Sequence, residues 1–159
     1  AHAHAHAHAQ AVRDELEHRG VTSIRVVLSH HHKDHVAGTE VFADCEVIAS
    51  EKCARALREN QEAFTKSSPP IAPVVMPTTV FSGAMELSVG NIGVELRPLD
   101  VHSFDGLTIY FPKTRLLLAG DTLEDTVTFV AETAATDFAN ILMCSAWVKR
   151  ETRLRGFRS

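Results

Sequence analysis

Apolar residues along this chain switch between helical and strand-like spacing. Val12 and Leu16, with Ala11 beside them, mark one face of a helix predicted over Gln10 to Arg19, and Gly20 follows as its stop. Ile24 to Leu28 is a short β-branched run and reads as a strand. A short helix is predicted over Gly38 to Phe42, then a strand over Glu46 to Ala49. Ser50 is a good N-cap for a helix from Glu51 to about Phe64, with Cys53, Ala56, Leu57 and Phe64 on one stripe. The stretch from Lys66 to Thr79 holds four of the six prolines and reads as a loop. Leu87 and Val89, then Ile92, Val94 and Leu96, alternate across Gly90-Asn91, the pattern of a hairpin. Leu107 to Phe111 and Leu116 to Ala119 make a second hairpin around Pro112-Lys113, and alanine-rich Val130 to Met143 reads as a helix. No internal repeat is apparent, and the alternation predicts an α/β fold.

The chemistry concentrates after the first strand. Ser29-His30-His31-His32-Lys33-Asp34-His35-Val36-Ala37-Gly38 has the form H-x-H-x-D-H-x-x-G. In an extended stretch, residues two apart point the same way, so His30 and His32 converge on one ion. The chain then turns, and adjacent Asp34 and His35 can serve a second ion. Imidazole with carboxylate suits zinc or a similar transition metal. His31 should point away from His30 and His32, which makes it a poor ligand. Lys33 reads as a solvated loop charge, and His18 as a surface residue of the first helix.

Two further segments follow in order. One is Leu99-Asp100-Val101-His102-Ser103-Phe104-Asp105-Gly106, ahead of the strand-like Leu107 to Phe111. The other is Leu116-Leu117-Leu118-Ala119-Gly120-Asp121-Thr122, an apolar run ending in Gly-Asp-Thr. Ser103 and Thr122 read equally as substrate-orienting or turn-capping hydroxyls. With the first motif, these segments resemble the metallo-β-lactamase fold hydrolases over roughly residues 10 to 133. The resemblance implies an αββα sandwich. It also implies that His102 joins His30 and His32 on a first metal. Asp121 would then bridge to a second metal held by Asp34 and His35. Zn2+ is the expected ion, two per chain with the second site weaker, and Mn2+ or Fe are alternatives.

The departures from that family shape further expectations. Its members usually have leading strands before the first motif, and they supply a late His to the second metal. Here about twenty residues precede the motif, and no histidine follows His102. The chain therefore reads as an incomplete sandwich lacking N-terminal strands and the late C-terminal part. A shortened sheet leaves an open edge and an uncovered apolar face. A homodimer or higher oligomer that covers them is expected, and a dilution-resistant monomer in light scattering would exclude it. The domain reading is a tag-like Ala/His segment over 1–9, a metallo-β-lactamase-like domain over 10–145 and a basic tail over 146–159. One of the histidines in the first segment could supply the missing ligand.

Composition changes the picture little. With 159 residues and 45% hydrophobic content, the chain can bury a core. No apolar run reaches the roughly 20 residues of a membrane span, and no signal peptide is visible. Cys45, Cys53 and Cys144 are odd in number and lack metal-finger spacing; they read as small buried hydrophobes in a reducing compartment, so a cytoplasmic location is expected. The net charge is −4. Lys149 to Ser159 carries five basic residues and one acid, +4, which leaves −8 on the rest. That tail has little aromatic interleaving and reads as solvated, so a nucleic-acid partner is not expected.

A hydrolytic function follows from these charges. Metal binding lowers the pKa of water from about 15.7 to roughly 7, which supplies a nucleophile at neutral pH. Asp34 is the candidate catalytic carboxylate. Two cations favour a small anionic or ester-type substrate, and phosphodiesters gain most from a two-metal clamp, so phosphodiester hydrolysis ranks first. Hydrolysis of carboxylic esters, lactones or β-lactams ranks second. A catalytically inert metal-binding fragment is the alternative of another class, and flavodiiron-type redox chemistry ranks below it.

Overall fold

The computed structural model describes residues 2–123, with side chains from Ala5 onward. The chain divides after Ser82 into two compact units. The helix expected over 130–143, the basic tail and Cys144 lie outside the described residues.

The first unit is built on a three-stranded parallel sheet in the order β1 (Arg25–Val27), β2 (Glu46–Ser50), β3 (Thr79–Phe81). Arg25 pairs with Glu46, and Ile48 with Thr79. β2 is the central strand, and its residues from Val47 to Ser50 are all buried, as a parallel strand covered on both faces requires. Val47 and Ala49 face the core formed with Leu28, Val36, Cys53, Leu57, Phe64, Ile71 and Val74. The sequence pattern does not reveal β3, because its three residues end a proline-rich stretch and show no full alternation. The Thr78 backbone nonetheless donates to Val47 O at 2.8 Å, and its hydroxyl accepts from Val47 N–H at 3.0 Å.

Helix α1 (His2–His18) takes in the Ala/His alternation; the helix expected from Gln10 begins instead at His2. A period-two repeat wound on a 3.6-residue helix places Ala5 and Ala9 one turn apart on the same face. That face meets the 3-10 turn Thr39–Phe42. A Cβ at Gly38, just before this turn, would stand 2.9 Å from the Ala9 Cβ and 3.3 Å from Ala5 O, so close approach requires the glycine. Arg13 fastens the helix further along, pairing with both Asp44 oxygens at 2.5 and 2.7 Å and donating to Val41 O at 2.6 Å.

That pair carries a pH dependence. Hydrogen bonding from the Arg13 guanidinium lowers the Asp44 pKa from 3.8 to about 2, while the Asp44 carboxylate raises that of Arg13. A carboxylate with a depressed folded pKa contributes stability above its unfolded value and loses it as pH falls through the folded one. The urea midpoint of the parent should therefore exceed that of Asp44→Asn at pH 6. The gap should close between about pH 4 and pH 2. A gap that persists unchanged at pH 2 would remove Asp44 as its source.

Between β2 and the proline-rich loop lie α3 (Glu51–Glu59) and α4 (Gln61–Thr65). Ser50 caps α3 as expected, its hydroxyl accepting Cys53 N–H at 3.1 Å. Cys53, Ala56, Leu57 and Phe64 are all buried. The single helix expected to Phe64 breaks at Asn60, whose backbone turns to φ −98° and ψ 4° while both its N–H and its side-chain amide donate to Ala56 O at 2.9 Å.

The second unit contains a four-stranded antiparallel sheet, β4 (Met85–Val89), β5 (Ile92–Pro98), β6 (Leu107–Phe111) and β7 (Leu116–Leu118), in sequence order. Both predicted hairpins are present. Val89 pairs with Ile92 across Gly90-Asn91, and Gly90 at φ 60° supplies the left-handed first turn position. Among the described residues, no helix is long and apolar enough to cross a membrane.

Candidate metal centre

The motif after β1 is held at both ends. Leu28 is buried and donates its N–H to Ile48 O at 3.0 Å, which continues the pairing with β2 up to the first histidine. His32 is still extended, at φ −61° and ψ 148°, and caps the one-turn helix α2 (Lys33–Val36). Its carbonyl accepts from His35 N–H at 3.0 Å and Val36 N–H at 3.2 Å. Buried Val36 and Ala37 fix the far end of that turn in the core. Extended backbone thus presents His30 and His32, while helical backbone presents Asp34 and His35.

His30 Nε2 lies 3.0 Å from His32 Nδ1, and the His30 and His35 ring centroids are 4.1 Å apart. Two imidazoles bonded at 2.0–2.1 Å to one tetrahedral ion have nitrogens about 3.3 Å apart, so the first pair fits a shared ion. Ser29 Oγ contacts His30 Nδ1 at 3.1 Å and helps set that ring's orientation. His30 is 2% exposed. His31 is also buried, with its ring centroid 4.9 Å from that of His32. Asp34 Oδ2 is 3.5 Å from His35 Nε2, but its side chain is 81% exposed and turned mainly to solvent.

In the second unit, the loop between β5 and β6 carries His102, and the 3-10 turn Gly120–Thr122 after β7 carries Asp121. His102 Nε2 and Asp121 Oδ2 are 3.6 Å apart, a spacing that suits two ligands of one ion. Gly120 reaches φ 53°, a left-handed conformation that bends the chain into this turn. The His102 loop is closed by Leu99 N–H to Gly106 O at 2.8 Å and Gly106 N–H to Ser103 O at 3.0 Å. A Cβ at Gly106 would fall 2.4 Å from Leu99 O, so no other residue allows that closure.

The buried pair that follows His102 in the same loop is not evident from sequence. Ser103 is fully buried and donates to Asp105, itself 1% exposed. A Ser-x-Asp spacing before Gly106 is the only signal the sequence offers for this pair. Asp105→Ala would strip the buried Ser103 hydroxyl of its acceptor. The expected cost is about 1–3 kcal/mol of stability, together with metal affinity about 10–100-fold lower. Chemical denaturation and zinc competition with a chelating dye measure the two. Unchanged values for both would dismiss the role.

Residues 23–155 match the metallo-beta-lactamase superfamily model. Comparison with curated protein sequences gives no match. Among solved structures, the chain is similar to a metallo-beta-lactamase from Pontibacter korlensis, with 18% identity and TM-score 0.67 over 91% of this chain and 64% of that one. It is similar to the metallo-beta-lactamase IND-7, with 17% identity and TM-score 0.71 over 90% and 64% of the two chains. A quorum-quenching N-acyl homoserine lactone lactonase gives 19% identity and TM-score 0.61 over 88% and 60%. These likenesses show a shared α/β fold with two sheets, of which this chain spans about 64% of the length of the first two. The matched segment includes all six motif residues, and the chain belongs to the metallo-beta-lactamase superfamily.

Proposed function

We propose that this chain carries the metal-binding part of a hydrolase acting on carboxylic esters, lactones or β-lactams. The observation that carries the reading is the segment after β1, where ring nitrogens of His30 and His32 lie 3.0 Å from each other. His30, His32 and His102 would hold a first divalent ion; Asp34, His35 and Asp121 would hold a second, with Asp121 shared. Bound there, the metal supplies Lewis acidity toward the carbonyl and lowers the pKa of water.

The chain's own groups do the remaining work. Ser29 and the buried surroundings of His30 hold its ring in place, so little reorganisation accompanies binding. Asp34, exposed beside His35, is the carboxylate assigned to proton transfer at the attacking water. Charge alone ranks phosphodiesters first. The solved relatives named as β-lactamases and lactonases support the acyl substrates instead, and we adopt that order.

Chromogenic esters, lactones, β-lactams and phosphodiesters assayed with and without chelator test it. Acyl substrates should turn over, lose activity with chelator and regain it with zinc. Turnover indifferent to chelator would refute the metal reading; phosphodiester turnover above all acyl rates would reverse the substrate order.

A further inference from the structure

His30 and His32 present different ring nitrogens to each other: Nε2 of His30 lies 3.0 Å from Nδ1 of His32. A neutral imidazole carries one proton, on one nitrogen or the other, and only the bare nitrogen can bond a metal. A ligand role for His30 Nε2 therefore requires the proton on Nδ1. His30 is 2% exposed, and an N–H buried that deeply is costly without an acceptor. Ser29 Oγ stands 3.1 Å from Nδ1. The strand fixes Ser29 in turn, because the residue before it, Leu28, is buried and donates its N–H to Ile48 O at 3.0 Å.

A hydroxyl has a donor and lone pairs, so this contact can run in either direction. Donation to Nδ1 would select the tautomer with its proton on Nε2 and close the nitrogen that faces His32. Acceptance from Nδ1 leaves that nitrogen open. We propose that Ser29 is a positioning residue that accepts the Nδ1–H of His30 and so keeps Nε2 bare for a metal ion. Its purpose rests on the hydrolase reading, but zinc affinity and the ring proton report it without any substrate.

Three substitutions in the full chain separate the two directions. Ser29→Ala removes the acceptor, Ser29→Thr keeps the hydroxyl, and Ser29→Asp supplies a group that, when ionised, only accepts. Zinc affinity is read by competition with a chelating dye; the histidines of α1 are common to all four chains, so differences report position 29. Affinity should fall about 10–100-fold in Ser29→Ala, the scale for losing a partner behind a metal-bound histidine. Ser29→Thr and Ser29→Asp should bind zinc with near-parental affinity. In the nitrogen-edited proton spectrum of the zinc-loaded chain, the His30 Nδ1 proton is identified by its absence from His30→Gln. It should exchange slowly with water in the parent and in Ser29→Thr, and faster in Ser29→Ala. Among variants with parental circular dichroism, parental affinity or an unchanged exchange rate in Ser29→Ala would overturn the proposal. So would a loss in Ser29→Thr as large as that in Ser29→Ala. Weakened zinc in Ser29→Asp beside a parental Ser29→Thr would overturn it too, by reversing the direction of the hydrogen bond. A zinc affinity that follows the acceptor, in a chain that turns over no ester, would support the role of Ser29 while removing the hydrolase reading.

Discussion

His30→Ala should lose the first metal ion almost completely, and turnover with it. Three neutral imidazoles would be the whole protein shell of that ion, so removing one leaves two ligands where three are needed for a stable site. The loss should exceed the roughly 10–100-fold associated with disturbing a supporting group. His102→Ala should behave the same way. His31→Ala is the control for loss of a buried imidazole that is not itself a ligand, its ring packing edge-on against that of His32. It should cost stability and retain the metal. Zinc content by elemental analysis, on variants with parental circular dichroism, decides the matter. Parental occupancy and turnover in His30→Ala would void the ligand assignment.

The second expected result is a two-step metal titration. Asp34, His35 and Asp121 would be the protein ligands of the second ion, and water or another group would complete it. Activity should therefore continue to rise beyond one equivalent of zinc per chain, and Asp121→Ala should abolish that rise. Full activity at one equivalent would mean a mononuclear enzyme with no bridging role for Asp121. The histidines of α1 could bind zinc on their own and obscure the second step. Deleting the segment would remove Ala5 and Ala9 from their packing. Substituting His2, His4, His6 and His8 with glutamine leaves both alanines in place and is the better background.

The site is more legible in the sequence than the frame around it. His30 and His32 can be paired from the two-residue period of extended backbone, and the structure holds that conformation up to His32. Ser50 announces its helix because a capping hydroxyl acts within three residues. Both hairpins can be read from turn residues and alternation for the same reason, since every signal is local. The break at Asn60 lies in one residue's backbone angles, which the apolar periodicity running on to Phe64 does not record. β3 is defined by a neighbour about thirty residues earlier and not by its own pattern. The burial of Asp105 is hidden because hydropathy assigns every aspartate to solvent.

The contact between Gly38 and Ala9 restricts how this protein can diverge. Neither residue is among the metal ligands, yet enlarging either one would lift α1 off the turn that follows the motif. Shrinking position 9 would not free position 38, because a Cβ there would still stand 3.3 Å from the Ala5 carbonyl oxygen. Gly38→Ala should therefore loosen the seat of α1 on the turn whatever residue stands at position 9.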